Sequence, residues 1–337
     1  MVKQYSQLYL EARRALLTTE DQQTASLYAR ELLCHVSGKT QEQILAARDL
    51  YASEEVCDAV DAAVARLVTG EPLAYVLGEW DFYGLRLQVD KNVLIPRDDT
   101  CAVTELAINN ALFLTETPRI LDLCTGSGCI GLAIASRVKD ARVTLADISK
   151  NALAVAKKNV TISRLTGRVS CVQVDALSSA PAFLGKFDMI VSNPPYVTVG
   201  EMEALPASVR DYEPHLALCG GDDGLDFYRA ITCNFKDALK DGGYLCYEFG
   251  EDQGDSVCRI LEENGFTIIE RKKDFNGRER SVILQSHLPP RLWLRVPLRR
   301  KYSQRLIRIS SPTKASGHTP IALRFSNART PLQELDG

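Results

Sequence analysis

The run Phe187-Asp188-Met189-Ile190-Val191-Ser192 ends in Asn193-Pro194-Pro195-Tyr196, and this junction constrains the fold more than any other stretch. The apolar run reads as a buried strand. Neither proline has an N–H to donate, so no sheet can continue through the pair. The chain is therefore held stiff just past a strand end, which is where open α/β sheets bind ligands. Asn193 offers one carbonyl acceptor and two N–H donors there, and the Pro194 carbonyl is a second acceptor. Together they can grip a planar –NH2 group by both hydrogens, with Tyr196 supplying a flat face. The plainer role for Tyr196 is a core aromatic with a satisfied hydroxyl.

The pattern on either side agrees with such a sheet. From about residue 98 to 285, strand candidates at 119–123, 143–147, 169–174, 187–192, 243–249, 266–271 and 280–285 alternate with helical segments. The expected fold is α/β: a doubly wound, seven-stranded, mostly parallel sheet covered on both faces. The short loop Asp274-Phe275-Asn276-Gly277-Arg278 predicts one antiparallel hairpin at its end. Residues 1–75 read as helices only, a small bundle with a structural or partner-binding role. Thr40-x-x-Gln43 is a capping box, Ser53 precedes Glu54 and Glu55, and Val56, Val60, Val64, Leu67 and Val68 recur at helical spacing. Residues 76–97 read as a linking β-hairpin: a strand over Trp80–Val89, a turn at Asp90-Lys91-Asn92, and a return over Val93–Pro96. Residues 98–285 form the main domain. Residues 286–337, rich in proline, serine and arginine, are expected to be disordered.

Strand Ile120-Leu121-Asp122-Leu123 leads into Cys124-Thr125-Gly126-Ser127-Gly128-Cys129-Ile130-Gly131, a formal G-x-G-x-x-G. Alone that pattern is weak and first suggests a dinucleotide, or merely a tight turn. Asp122 beside the loop opposes a pyrophosphate and suits a cationic ligand such as S-adenosylmethionine. Asp147, ending the next strand, can take both ribose hydroxyls of a nucleoside. Ser149 is placed to cap the following helix.

Net charge is −3, unevenly spread. Residues 286–337 hold ten Lys/Arg against two Asp/Glu, a surplus of eight, which leaves the remainder at −11. So acidic a body does not favour direct nucleic-acid binding, which draws most of its affinity from phosphate neutralisation. A basic protein partner fits better. The ten cysteines include no CxxC pair and no cluster with zinc-ligand spacing, so no metal is expected. They read as reduced thiols in a cytoplasmic protein. No apolar run is long enough to span a membrane.

These features resemble the class I S-adenosylmethionine-dependent methyltransferases, and more closely the protein-(glutamine-N5) methyltransferases of peptide chain release factors. The resemblance spans residues 1 to about 285. It rests on the helical N-terminal domain, Gly70-Glu71-Pro72-Leu73-Ala74-Tyr75, Leu94-Ile95-Pro96-Arg97, the loop Asp122–Gly131, Asn193–Tyr196, Tyr212-Glu213-Pro214 and Gly277-x-x-Arg280. It implies cofactor contacts at Cys124, Thr125, Gly126, Ser127, Gly128, Asp147 and Asn193, and a substrate-amide grip at Asn193, Pro194, Pro195 and Tyr196. It further implies S-adenosylmethionine as cofactor, a GGQ-type glutamine of class I release factors as substrate, and an N-terminal bundle that binds the release factor. A monomer is the default expectation. Cys124 stands where the family commonly has glycine, Asp98 where proline is typical, and Ala176-Leu177 where an aromatic often lies. No dedicated general base is assigned. His215 reads as a loop residue, and Glu213 is expected to help close the site. The alternatives are an adenine-N6 methyltransferase acting on DNA or RNA, since adenine also presents an –NH2, and an NAD enzyme or non-catalytic module.

Overall fold

The structure is a computed structural model that describes residues 2–286; the expectation for the basic tail lies outside the described residues. Five helices come first: α1 (Tyr5–Leu16), α2 (Gln22–Ser37), α3 (Gln41–Ala46), α4 (Glu54–Val68) and α5 (Leu73–Leu77). Asp21, Thr40 and Ser53 cap α2, α3 and α4, and Thr40 with Gln43 closes a reciprocal capping box. The apolar faces of α1, α2, α4 and α5 make a separate small core around Leu8, Leu16, Leu32, Leu33, Val60 and Leu67.

A hairpin follows, β1 (Glu79–Phe82) and β2 (Leu85–Gln88), but its turn is not at Asp90–Asn92 as the sequence pattern suggests. The chain reverses at Tyr83-Gly84, both with positive φ (50° and 81°), the two-residue geometry that matches strand twist. The alternation of Leu85, Leu87 and Val89 belongs to the second strand alone. Asp90–Asn92 is a turn of another kind: its side-chain carboxylate holds Asn92 N at 2.9 Å, and Val93–Pro96 runs on toward the sheet without pairing.

The remaining elements are α6 (Cys101–Ala111), β3 (Arg119–Leu123), α7 (Cys129–Arg137), β4 (Arg142–Asp147), α8 (Lys150–Ile162), β5 (Val169–Gln173), β6 (Phe187–Ser192), the short α9 (Val199–Met202) and α10 (Ala207–Arg210), α11 (Asp226–Asn234), β7 (Leu239–Glu248), α12 (Gly254–Glu263), β8 (Phe266–Lys273) and β9 (Glu279–Ser286). The seven strands from β3 onward form one sheet in the order β5-β4-β3-β6-β7-β9-β8. Pairing is parallel from β5 to β7, while β9 runs antiparallel to both β7 and β8. The period of two divides the side chains between faces. Ile120, Met189 and Val191 pack under α6, α7 and α8, whereas Leu121, Leu123 and Ile190 pack under α11 and α12. This is the doubly wound, seven-stranded, mostly parallel fold read from the sequence. Because β3 leads leftward to β4 and β5 and the chain then returns to β6, the strand order reverses between β3 and β6, which is where such sheets open a crevice.

Ala74 and Tyr75 of α5 pack with Val89, Val93, Ile95, Ala152 and Val155, so the segment after the hairpin is fixed against α8. Tyr75 Oη donates to the Val93 carbonyl at 2.7 Å, and Tyr212 Oη to the Thr69 carbonyl at 2.7 Å.

Candidate active site

A cleft lies over the β3–β6 crossover. One wall is the β3–α7 loop, in which Cys124, Gly126 and Gly128 all take positive φ (60°, 55° and 86°). Two carboxylates brace this loop. Asp122 is buried beneath it; its Oδ2 accepts from Thr125 Oγ1 at 2.6 Å and Gly131 N at 2.9 Å, while Oδ1 has no partner. Burial pushes its pKa up to about 7, against the pull of those two donors. Asp122 does not line the cleft, so it holds the loop rather than facing a ligand. Asp147 does line it, accepting from Gly126 N through Oδ2 and Ser149 N through Oδ1, both at 2.9 Å. Burial raises its pKa too. A Cβ added at Gly126 would meet nothing within 4 Å, so the loop leaves open room toward the cleft at that point. At Gly131 a Cβ would collide with Leu145 and stand 2.9 Å from Asp122 Oδ2, so this glycine lets helix and sheet approach closely.

Beyond the loop, Ile148, Val174, Ala176 and Leu177 give the cleft an apolar section, with Asp175 beside them. The only arginine in the lining among the described residues, Arg97, is ion-paired with Glu213. The cleft is thus acidic with an apolar slot. That suits a nucleoside carrying a sulfonium and an ammonium, and it does not suit a pyrophosphate.

The opposite wall is the turn after β6. Asn193 and Pro195 line the cleft; Pro194 and Tyr196 do not. Asn193 Nδ2 points to Thr100 Oγ1 at 3.4 Å. Among the described residues neither Asn193 Oδ1 nor the Pro194 carbonyl accepts a hydrogen bond within the chain. Tyr196 is half-buried against the core under α11 and α12, burial pushes its hydroxyl pKa upward, and its carbonyl accepts from Gln253 Nε2 at 2.9 Å. The turn is pinned from beneath as well: Ser192 Oγ donates to the Leu123 carbonyl at 2.6 Å.

Of the residues singled out in the sequence, Cys124, Thr125, Gly126, Ser127, Asp147, Asn193 and Pro195 meet around one cleft. Gly128 sits behind it, where a Cβ would press on Leu145 at 3.0 Å. Glu213 is buried outside the lining, accepting from Ile95 N at 3.1 Å and pairing with Arg97; it ties the loop carrying Pro214, Leu216 and Ala217, which do line the cleft, to the segment after the hairpin. His215 is exposed and off the cleft, its Nε2 3.2 Å from the Arg210 carbonyl. Sequence reasoning missed Thr100, Pro214, Leu216, Ala217 and Phe227 in the lining. None carries a local motif except Pro214, which follows Tyr212-Glu213.

Residues 103–209 match the family described as methyltransferase small domain, and residues 7–78 match the PrmC N-terminal domain. Over 212 residues the chain is 44% identical to a release factor glutamine methyltransferase of Clostridium acetobutylicum, covering 63% of this chain and 74% of that protein. It is 38% identical over 262 residues to the protein of the same name from Chlorobaculum tepidum, covering 76% and 88% of the two chains. The chain belongs to the release factor glutamine methyltransferase family. A third member, from Geobacter sulfurreducens, is 36% identical over 273 residues, 81% of this chain and 94% of its own. The family's methyl donor is S-adenosylmethionine, and the acidic, apolar-slotted cleft fits it. Among the described residues no helix is long and apolar enough to cross a membrane, and all ten cysteines are free thiols.

Proposed function

We propose that this protein transfers a methyl group from S-adenosylmethionine to the side-chain amide nitrogen of a glutamine, in a GGQ-type motif, of a class I peptide chain release factor. The observation that carries the reading is Asn193 in the lining of a cleft suited to that cofactor, its Oδ1 left without a partner among the described residues, on a proline-stiffened turn whose buried Pro194 carbonyl is a second open acceptor. S-adenosylmethionine, when bound, supplies an electrophilic methyl on a sulfonium. Cys124, Thr125, Gly126, Ser127 and Asp147 would hold it, Asp147 offering a carboxylate suited to ribose hydroxyls; Gly128 shapes the loop from behind.

A carboxamide nitrogen is a poor nucleophile, because its lone pair is delocalised into the carbonyl. Asn193 Oδ1 and the Pro194 carbonyl accept its two N–H groups, raise electron density on nitrogen and aim the remaining lone pair at the methyl. Each such hydrogen bond is worth about 1 kcal/mol net. Fixing the reacting atoms in line contributes about 7–11 kcal/mol. Orientation therefore dominates, and no side chain needs to serve as general base. The amide becomes acidic once alkylated and loses its proton afterwards. Pro195 closes the cleft at the turn, and Tyr196 packs along the turn and stiffens it.

The N-terminal helices, residues 1–75, bind the release factor through protein contacts, and residues 76–97 join them to the methyltransferase domain at 98–285. The protein acts as a cytoplasmic monomer without direct contact to nucleic acid. Calorimetry with S-adenosylmethionine and with NAD, followed by transfer of labelled methyl to a purified release factor and to DNA, tests the reading. Binding of the first cofactor only, and label in the release factor only, is expected; label confined to DNA overturns it.

A further inference from the structure

Behind the Asn193 turn lies a carboxylate that the mechanism above does not use. Glu248 is the last residue of β7, and in this parallel pair Ser192 sits opposite Tyr247, so the register carries Glu248 level with Asn193 on the neighbouring strand. It is 2% exposed and does not line the cleft. Its carboxylate faces the side chains of Thr100 and Asn193, both of which favour its charged form, and Oε2 has no hydrogen-bond partner. Thr100, also 2% exposed, receives Asn193 Nδ2 on Oγ1 at 3.4 Å. The nearby Arg280 is ion-paired with Asp99 and Asp274.

A charged carboxylate accepts hydrogen bonds and donates none. Any hydroxyl facing it must point its proton inward, and any amide must present its NH2. A Thr100 hydroxyl whose proton is drawn toward that charge keeps its Oγ1 lone pairs for Asn193 Nδ2, which lies 3.4 Å away. We propose that Glu248 is a positioning residue for methyl transfer: it sets the polarity of the Glu248–Thr100–Asn193 series so that Asn193 turns its amide nitrogen inward and its carbonyl oxygen toward the substrate. An asparagine amide flipped the other way would set NH2 against the substrate's NH2, donor against donor, and the grip would fail. The inference rests on the proposed amide grip and adds the group that enforces it.

The burial of Glu248 has a cost that supports this reading. Desolvation pushes its pKa up to about 7, opposed by Thr100, Arg280 and Asn193 and aided by Asp99. Tyr196, Tyr228, Cys101 and Cys129 also lie within its electrostatic reach. A raised pKa means that the fold holds the charged form of this carboxylate at a cost.

The test uses the full chain, a purified release factor and labelled S-adenosylmethionine at pH 8. Glu248→Gln keeps the shape and removes the fixed polarity. It should lower kcat about 10- to 100-fold. Cofactor affinity by calorimetry and KM for the release factor should stay within about threefold, and Tm should be no lower than wild type. Thr100→Val should cost a similar factor. The double variant should be no slower than the worse single one, because both act through Asn193. Glu248→Asp, which restores the charge, should recover part of the rate. A Glu248→Gln enzyme as fast as wild type overturns the inference while leaving the amide grip in place. So does a parallel loss of rate, cofactor affinity and Tm, which marks a merely structural residue. Absence of transfer by the wild-type enzyme overturns the underlying reading and this inference with it.

Discussion

The two walls of the cleft are built in different ways. The wall proposed for the cofactor is local: one stretch of consecutive residues, Cys124 to Ile130, braced by Asp122 from the strand before it and Asp147 from the strand beside it. The substrate wall is assembled from afar. Asn193 follows β6, Thr100 precedes α6, and Pro214 and Leu216 come from a loop tied down through Glu213, while Glu248, at the end of β7, lies buried behind them. The first wall can be formed by a short piece of chain with the right dihedral angles. The second exists only when most of the domain has folded. Binding of the cofactor should therefore tolerate changes to the substrate wall, while transfer should depend on both.

Asn193→Ala should break the symmetry most visibly. It should lower kcat by about a hundredfold to a thousandfold, the cost of deleting one preorganised polar contact at a reacting centre. Calorimetry should find S-adenosylmethionine affinity nearly unchanged; an equal loss of both would mean the walls are not separable. Next in size is the pH dependence of Glu248→Gln. The folded pKa of Glu248 is raised above its ordinary value of 4.5 to about 7, so its burial costs nothing below 4.5 and the full amount above 7. The stability advantage of the variant should open as pH rises through that window and level off at about 3 kcal/mol at most, read by urea unfolding. An advantage that closes with rising pH would contradict a buried charge behind the substrate wall.

Gly131→Ala probes the other wall. The added methyl must displace Leu145 or Asp122, and overpacking of this kind costs about 1–3 kcal/mol. Cofactor binding should weaken along with it. Asp147→Asn should weaken S-adenosylmethionine binding about tenfold, one charge-assisted contact's worth, with kcat near wild type at saturating cofactor. Cys124→Gly should have the smallest effect. Cys124 is a non-glycine residue at φ 60°, so relief of that strain should offset the extra freedom of glycine in the unfolded chain, with a net change within about 1 kcal/mol.

The same contrast accounts for what could be read from the sequence. All seven strands of the main sheet were legible: central parallel strands such as β6 are nearly continuous apolar runs, and the antiparallel pair β8 and β9 was marked by the short loop Asp274–Arg278. The β3–α7 loop was legible because its dihedral demands are written as glycines in one stretch. The hairpin was misplaced because apolar alternation continues past Tyr83-Gly84, and a turn that needs two positive φ values leaves only one glycine as a sign. Asp122 was read only as a carboxylate beside the loop that favours a cationic ligand, since its position in the strand does not reveal that Thr125 and Gly131 enclose it. Thr100 and Glu248 carry no motif. They reach Asn193 through sheet order and the packing of α6, which local pattern does not encode.

The central claim is that the turn after β6 accepts both hydrogens of one carboxamide –NH2. The most direct test is exhaustive turnover of a release factor with S-adenosylmethionine, with the modified glutamine examined by mass spectrometry. A nitrogen that already bears a methyl has a single hydrogen left and can no longer fill both acceptors. The account predicts one methyl on that glutamine and no more, however long the reaction runs; accumulation of the dimethylated side chain would contradict it.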